Sequence, residues 1–138
     1  MQTQDITATL SQLAEVAKLI LSSYPNHRIF SFTGEMGAGK TTLIKELCKC
    51  LEIQNIPSSP TFAIVNEYWT SKNEPVYHFD FYRIERPEEA MAIGLFEYLE
   101  SEHYCFMEWS EKIENVLDDE RVIIKIERID DQTRKFTF

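Results

Sequence analysis

Apolar residues at Leu10, Leu13, Ala14, Ala17 and Leu21 recur at helical spacing and predict an amphipathic helix over 10–22. The period then shortens. "RIFSFT", 28–33, reads as a strand that runs into Gly34, and a helix over about 40–51 follows with Leu43, Ile44 and Leu47 on one face. "TFAIVNEYW" and "PVYHFDFYRI" are rich in β-branched and aromatic residues, so the polar "TSKNE" between them predicts a hairpin turn. In "RPEEAMAIGLFEYL", Pro87 and the acids after it suit a helix start, and Gly94 predicts its break. "YCFMEW" predicts a short apolar strand and "SEKIENVL" a short helix, while "RVIIKIERI" and "TRKFTF" predict a closing pair of strands. Strands mixed with helices around one core predict an α/β layered domain. No repeat, low-complexity tract or linker divides the chain, so residues 1–138 are expected to form a single domain.

Composition changes this picture little. The 138 residues are 43% hydrophobic and 27% charged, which is ordinary for a folded domain. No apolar run approaches the ~18 residues that span a bilayer, and "MQTQDITATL" carries no secretory pattern, so a cytoplasmic location is expected. Cys48 and Cys50 point to different faces of a predicted helix, and Cys105 lies in an apolar run. All three read as structural filler in a reducing compartment. Charge is more informative. A net charge of −9 argues against strong unaided binding to a polyanion.

Strand alternation in "YHFDFYRI", 77–84, sets Tyr77, Phe79 and Phe81 against His78, Asp80 and Tyr82. The aromatic set suits a core. Periodicity leaves open whether the polar set faces solvent or a ligand.

The one glycine-rich stretch supplies such a ligand. "GEMGAGKT", 34–41, matches G-x-x-x-x-G-K-[ST] at every fixed position, between a predicted strand and a predicted helix. Glycines let consecutive backbone N–H groups turn inward on phosphate oxygens, and the following helix aims its positive end at the same anion. Lys40 is placed to reach the β- and γ-phosphates and Thr41 to ligate Mg²⁺. A chance match in a chain this long arises about once in a few hundred sequences, so a nucleotide-binding loop is the better reading. Neither the D-x-x-G nor the [NT]-K-x-D segment of GTPases occurs, which favours ATP. Six scattered arginines offer no lid of the kind small-molecule kinases use.

Such folds hold the metal with a second acid at the end of an apolar strand. "YCFME" ends in Glu108, the candidate that fits, although the usual residue is Asp. "SSPTF", 58–62, offers Ser58, Ser59 and Thr61 between two prolines, where a hydroxyl can sense a γ-phosphate; a plain loop fits those residue types nearly as well.

Taken together, "GEMGAGKTT", "SSPTFAIVNEY", "YHFDFYR" and "FMEW" resemble the bacterial TsaE (YjeE) family over nearly the whole chain. The resemblance implies a P-loop NTPase-type three-layer α/β domain, with a largely parallel central sheet plus antiparallel strands. It implies an ATPase that uses ATP and Mg²⁺ and serves threonylcarbamoyladenosine formation on tRNA. Its partners would be TsaB and TsaD homologues, with tRNA reached through them. Carried over residue by residue, Gly37, Ala38, Gly39, Lys40, Thr41 and Thr42 would bind the phosphates, Thr42 at the α-phosphate. Thr41 and Glu108 would hold Mg²⁺. Thr61 would stand near the γ-phosphate and Asp80 would take part in hydrolysis. Thr7, Thr9 and Arg134 are candidates for adenine contacts. Two other functions stay open: a nucleotide-dependent docking module with negligible turnover, and a small-molecule kinase.

Overall fold

The stretch before Gly34 forms a central strand, and the chain winds outward from it in both directions. In the computed structural model, which describes residues 3–54, 56, 63–118 and 120–138, the first four elements are β1 (Asp5–Thr9), α1 (Leu13–Ser23), β2 (Ile29–Thr33) and α2 (Lys40–Cys50). A hairpin of β3 (Val65–Trp69) and β4 (Pro75–Asp80) follows, then α3 (Pro87–Ala92) and α4 (Leu95–Leu99). Strands β5 (Cys105–Glu108), β6 (Val122–Arg128) and β7 (Thr133–Thr137) complete the chain. Single 3-10 stretches lie at Leu10–Gln12 and Ser110–Val116.

Among the described residues the strands form one sheet in the order β1-β7-β6-β2-β5-β4-β3. Strands β6, β2, β5 and β4 run parallel, and β7, β1 and β3 pair antiparallel at the flanks. This is the expected α/β sheet with a parallel centre. Helices cover both faces of that centre, so β5 is buried along its whole length. On one face Val16, Ala17 and Ile20 of α1 join Leu43, Ile44 and Leu47 of α2 over Phe30, Phe32 and Phe106. On the other, Ala90, Leu95 and Ile113 close over Phe79, Phe81 and Met107. A fully buried Phe contributes about 1.5–3 kcal/mol. Among the described residues the seven largest fully buried side chains are all phenylalanines, so they form the main packing of this small domain.

Four local expectations shift. Helix α1 buries Leu13, Val16, Ala17 and Ile20, so its apolar face is turned from the predicted 10, 13, 14, 17, 21 stripe. Both stripes have helical spacing; Leu10 and Leu21 pack against the same cluster partly buried, while Ala14 is exposed. The stretch "DITAT" of β1 carries no strong strand pattern, and it becomes a strand because β7 offers it a partner. "SEKIENVL" forms a 3-10 stretch with a non-helical Ile113 rather than an α-helix. Finally, β4 stops at Asp80, whose Oδ1 accepts the Tyr82 N–H at 3.0 Å and turns the chain. Phe81 still stacks on Phe79, with ring centroids 5.6 Å apart, while Tyr82 moves out against Trp109.

The cysteines follow their predicted role. Cys48 and Cys105 are buried and free, and burial pushes both thiols up to about 12.

Candidate functional site

Three neighbouring parallel strands, β2, β5 and β4, deliver chemistry at their carboxyl ends. Ligands in open α/β sheets bind at that edge. Strand β2 runs into the glycine-rich loop, β5 ends in Glu108, and β4 ends in Asp80 directly beside it in register.

Glycine is required in the loop at two points. A Cβ on Gly34 would sit 2.7 Å from the Ile126 carbonyl oxygen, so no side chain fits where the loop passes β6. Gly39 has φ +110°, a left-handed conformation that L side chains rarely adopt, and it sets the entry into α2. The first-turn amides of α2 have no acceptor within the helix, and its positive end faces the loop. From β7, the buried Arg134 donates through Nε to the Ala38 carbonyl at 2.8 Å and braces the curl from outside.

Lys40 opens α2 and is only 5% exposed. Its Nζ donates to the Gly34 carbonyl at 2.7 Å and lies 3.6 Å from the centroid of the Trp109 ring. Burial holds its pKa below the usual lysine value, with Glu108, Glu111 and Asp80 pulling the other way. Trp109 itself is left-handed, at φ 59° and ψ 34°. Such a backbone costs a bulky residue on the order of 1–3 kcal/mol. The turn it makes brings the indole back from the end of β5 to the lysine.

Behind the loop, the Thr41 hydroxyl donates to Glu108 Oε1 at 2.8 Å. Oε2 of the same carboxylate meets His78 Nε2 at 2.6 Å, and His78 Nδ1 meets the Tyr68 hydroxyl at 3.0 Å. Glu108 and His78 are each 3% exposed, so the carboxylate is buried yet partnered on both oxygens. Burial pushes the Tyr68 phenol up to about 12, so it keeps its proton.

Most of the sequence candidates converge here. Ala38, Lys40, Thr41, Glu108 and Asp80 share one edge of the sheet, with Gly37 and Thr42 at the exposed rim of the loop. Thr61, with Ser58 and Ser59, lies outside the described residues. Of the adenine candidates, Arg134 reaches the loop. Ala8 is the residue opposite Arg134 in the β1–β7 ladder, and it shares that face. Thr7 and Thr9 pair with Lys135 and Thr133 and project to the other side.

Two residues of the site lay outside the sequence reading. Trp109 follows Glu108 in "FMEW", where an aromatic residue carries no signal of its own for a site. Tyr68 lies ten residues before His78, and only the hairpin register sets it diagonally across from that ring.

The donor chemistry fits a hard divalent cation completed by phosphate. Thr41 Oγ1 and Glu108 Oε1 are neighbouring oxygens, and Mg²⁺ commonly takes one or two protein ligands together with phosphates. Among the described residues no group of three or more His, Cys, Asp or Glu side chains stands close enough to hold a metal alone.

The chain matches the family described as "Threonylcarbamoyl adenosine biosynthesis protein TsaE" over residues 7–136. It is 37% identical over 132 residues to the tRNA threonylcarbamoyladenosine biosynthesis protein TsaE of Bacillus subtilis, covering 96% of this chain and 82% of that protein. The protein of the same name from Haemophilus influenzae is 34% identical over 116 residues, covering 83% of this chain and 73% of that one. The crystal structure of Bacillus subtilis YdiB superposes with a TM-score of 0.76 at 30% identity, covering 100% of this chain and 86% of that one.

Proposed function

The chain belongs to the TsaE family of tRNA threonylcarbamoyladenosine biosynthesis proteins, and on that premise we propose that it binds and hydrolyses ATP with Mg²⁺. The observation that carries this reading is the 2.8 Å contact between Thr41 of the loop helix and Glu108 at the end of β5. It joins a phosphate-binding helix to an acid on an adjacent strand, as phosphoryl-transfer sites of this fold require.

The loop amides of residues 37–42 bind the phosphates, Thr42 at the α-phosphate. Lys40 exchanges the Gly34 carbonyl and the Trp109 face for phosphate oxygens. Thr41 and Glu108 would hold Mg²⁺, which would supply positive charge to the phosphate oxygens. Asp80, beside Glu108, orients the attacking water directly or through a neighbour, and the family resemblance assigns Thr61 to the γ-phosphate. The protein acts in the cytoplasm on an assembly of TsaB and TsaD homologues, not as the transferase. With a net charge of −9, it reaches tRNA through those partners.

Single-turnover assays with ATP and Mg²⁺ test this, run with the protein alone and with TsaB and TsaD homologues added. Loss of γ-phosphate to water in either arm is expected. Unchanged ATP over hours in both arms sinks the hydrolase reading and leaves a nucleotide-dependent docking module. Phosphate appearing on an acceptor instead of in water identifies a kinase.

A further inference from the structure

The carboxylate Glu108 is buried; His78, which suits a supporting hydrogen-bond partner, holds it from behind, and Tyr68 holds His78 in turn. A carboxylate accepts and does not donate, so His78 donates to it through Nε2. In the neutral ring with its proton on Nε2, Nδ1 accepts from the Tyr68 hydroxyl at 3.0 Å. Each link in the row from β3 through β4 and β5 to α2 is a side chain–side chain contact of 2.6–3.0 Å. Its order divides the two oxygens of Glu108: Oε2 is engaged by His78, and Oε1 faces the Thr41 hydroxyl. The geometry also accounts for Glu where Asp is usual, because this carboxylate spans from the His78 ring to the loop helix.

We propose that Tyr68 and His78 are positioning residues that orient Glu108 so that Oε1, and not Oε2, meets the metal beside Thr41. This rests on the proposed Mg²⁺–nucleotide site and names two residues that shape it. Partners behind a metal ligand commonly change metal affinity by about 10–100-fold when removed. Of the register partners of His78, Phe106 on β5 is apolar and Asn66 on β3 is polar.

The test measures Mn²⁺ affinity in the presence of ADP by paramagnetic resonance of free Mn²⁺. ADP affinity in EDTA is measured alongside, and thermal melts monitor folding. His78→Phe is expected to weaken Mn²⁺ about 10–100-fold while metal-free ADP binding stays within about twofold. Tyr68→Phe, which keeps its ring and loses one hydrogen bond, is expected to weaken Mn²⁺ about 2–10-fold. His78→Gln retains a donor toward Oε2 and is expected to recover most of the loss. Wild-type Mn²⁺ affinity in Tyr68→Phe overturns the proposal, and that variant decides should His78→Phe fail to fold. Equal losses of ADP with and without metal also overturn it, because a general structural role predicts them. A wild-type protein that binds ADP but no Mn²⁺ overturns the metal site itself, and this inference with it.

Discussion

Strands β4 and β5 have two faces that do different work within one residue of each other. Cys105, Met107 and Phe79 point into the layer beneath α3 and α4, where neighbours are apolar and volume is what matters. His78 and Glu108 are on the other face, toward α2, as buried polar groups that each need a partner, and the half-buried Asp80 follows at the strand end. Alternation lets a four-residue strand such as β5 complete a core with Met107 and a site with Glu108. The two faces should therefore fail differently. Damage to the first lowers stability, and damage to the polar side chains of the second, which sit beside the buried Val76 and Phe106, lowers activity in a protein that still folds.

Phe79→Ala gives the largest test of that division. It should cost about 3–5 kcal/mol in urea unfolding, because a fully buried ring is removed. The folded fraction should keep its nucleotide affinity, and an unchanged unfolding midpoint would break the comparison. On the other face, Asp80→Ala should slow single-turnover hydrolysis by about 10²-fold or more, with nucleotide binding within about twofold. A wild-type rate in that variant removes Asp80 from the mechanism. Lys40→Ala should weaken nucleotide affinity about 10–100-fold in a titration with a fluorescent ADP, since it deletes charge-assisted bonds to phosphate.

The smallest effect compares the faces directly, because each carries one buried thiol. Burial raises Cys48 and Cys105 from 9.0 to about 12, so the folded state keeps protons that the unfolded chain releases. A raised folded pKa contributes stability fully below pH 9 and loses it as pH climbs toward 12. Urea melts at pH 9.5 should therefore show about 1–2 kcal/mol less stability than at pH 8. Replacing either cysteine with Ala should remove about half of that alkaline loss. If one replacement removes all of it, the two faces are not equally dry.

Much of this was legible before any coordinates. The phosphate loop is local: its glycines, Lys40 and Thr41 act within eight residues of chain, and strand-then-helix patterning brackets them. Glu108 was legible as an acid closing an apolar run, and Asp80 as the acid of an alternating strand. What stayed hidden were roles that depend on neighbours. The alternation of β1 is short and weak, with Ile6 and Ala8 as its apolar positions, and the strand formed against β7. The buried stripe of α1 had two candidates of the same period, and the packing selected the one with Val16 and Ile20.

By itself the sequence determined the order of strands and helices after β1, the family and the phosphate-binding stretch, because each is written in residues close together along the chain. Only the tertiary structure decided that His78 grips Glu108 from behind, that Tyr68 holds His78, and that Trp109 curls back under Lys40. Those contacts follow from the strand order β2-β5-β4-β3 and from the register between strands. Periodicity can say which residues share a face of one strand. It cannot say which strand lies next to it, and that is set by how the whole chain buries its apolar surface.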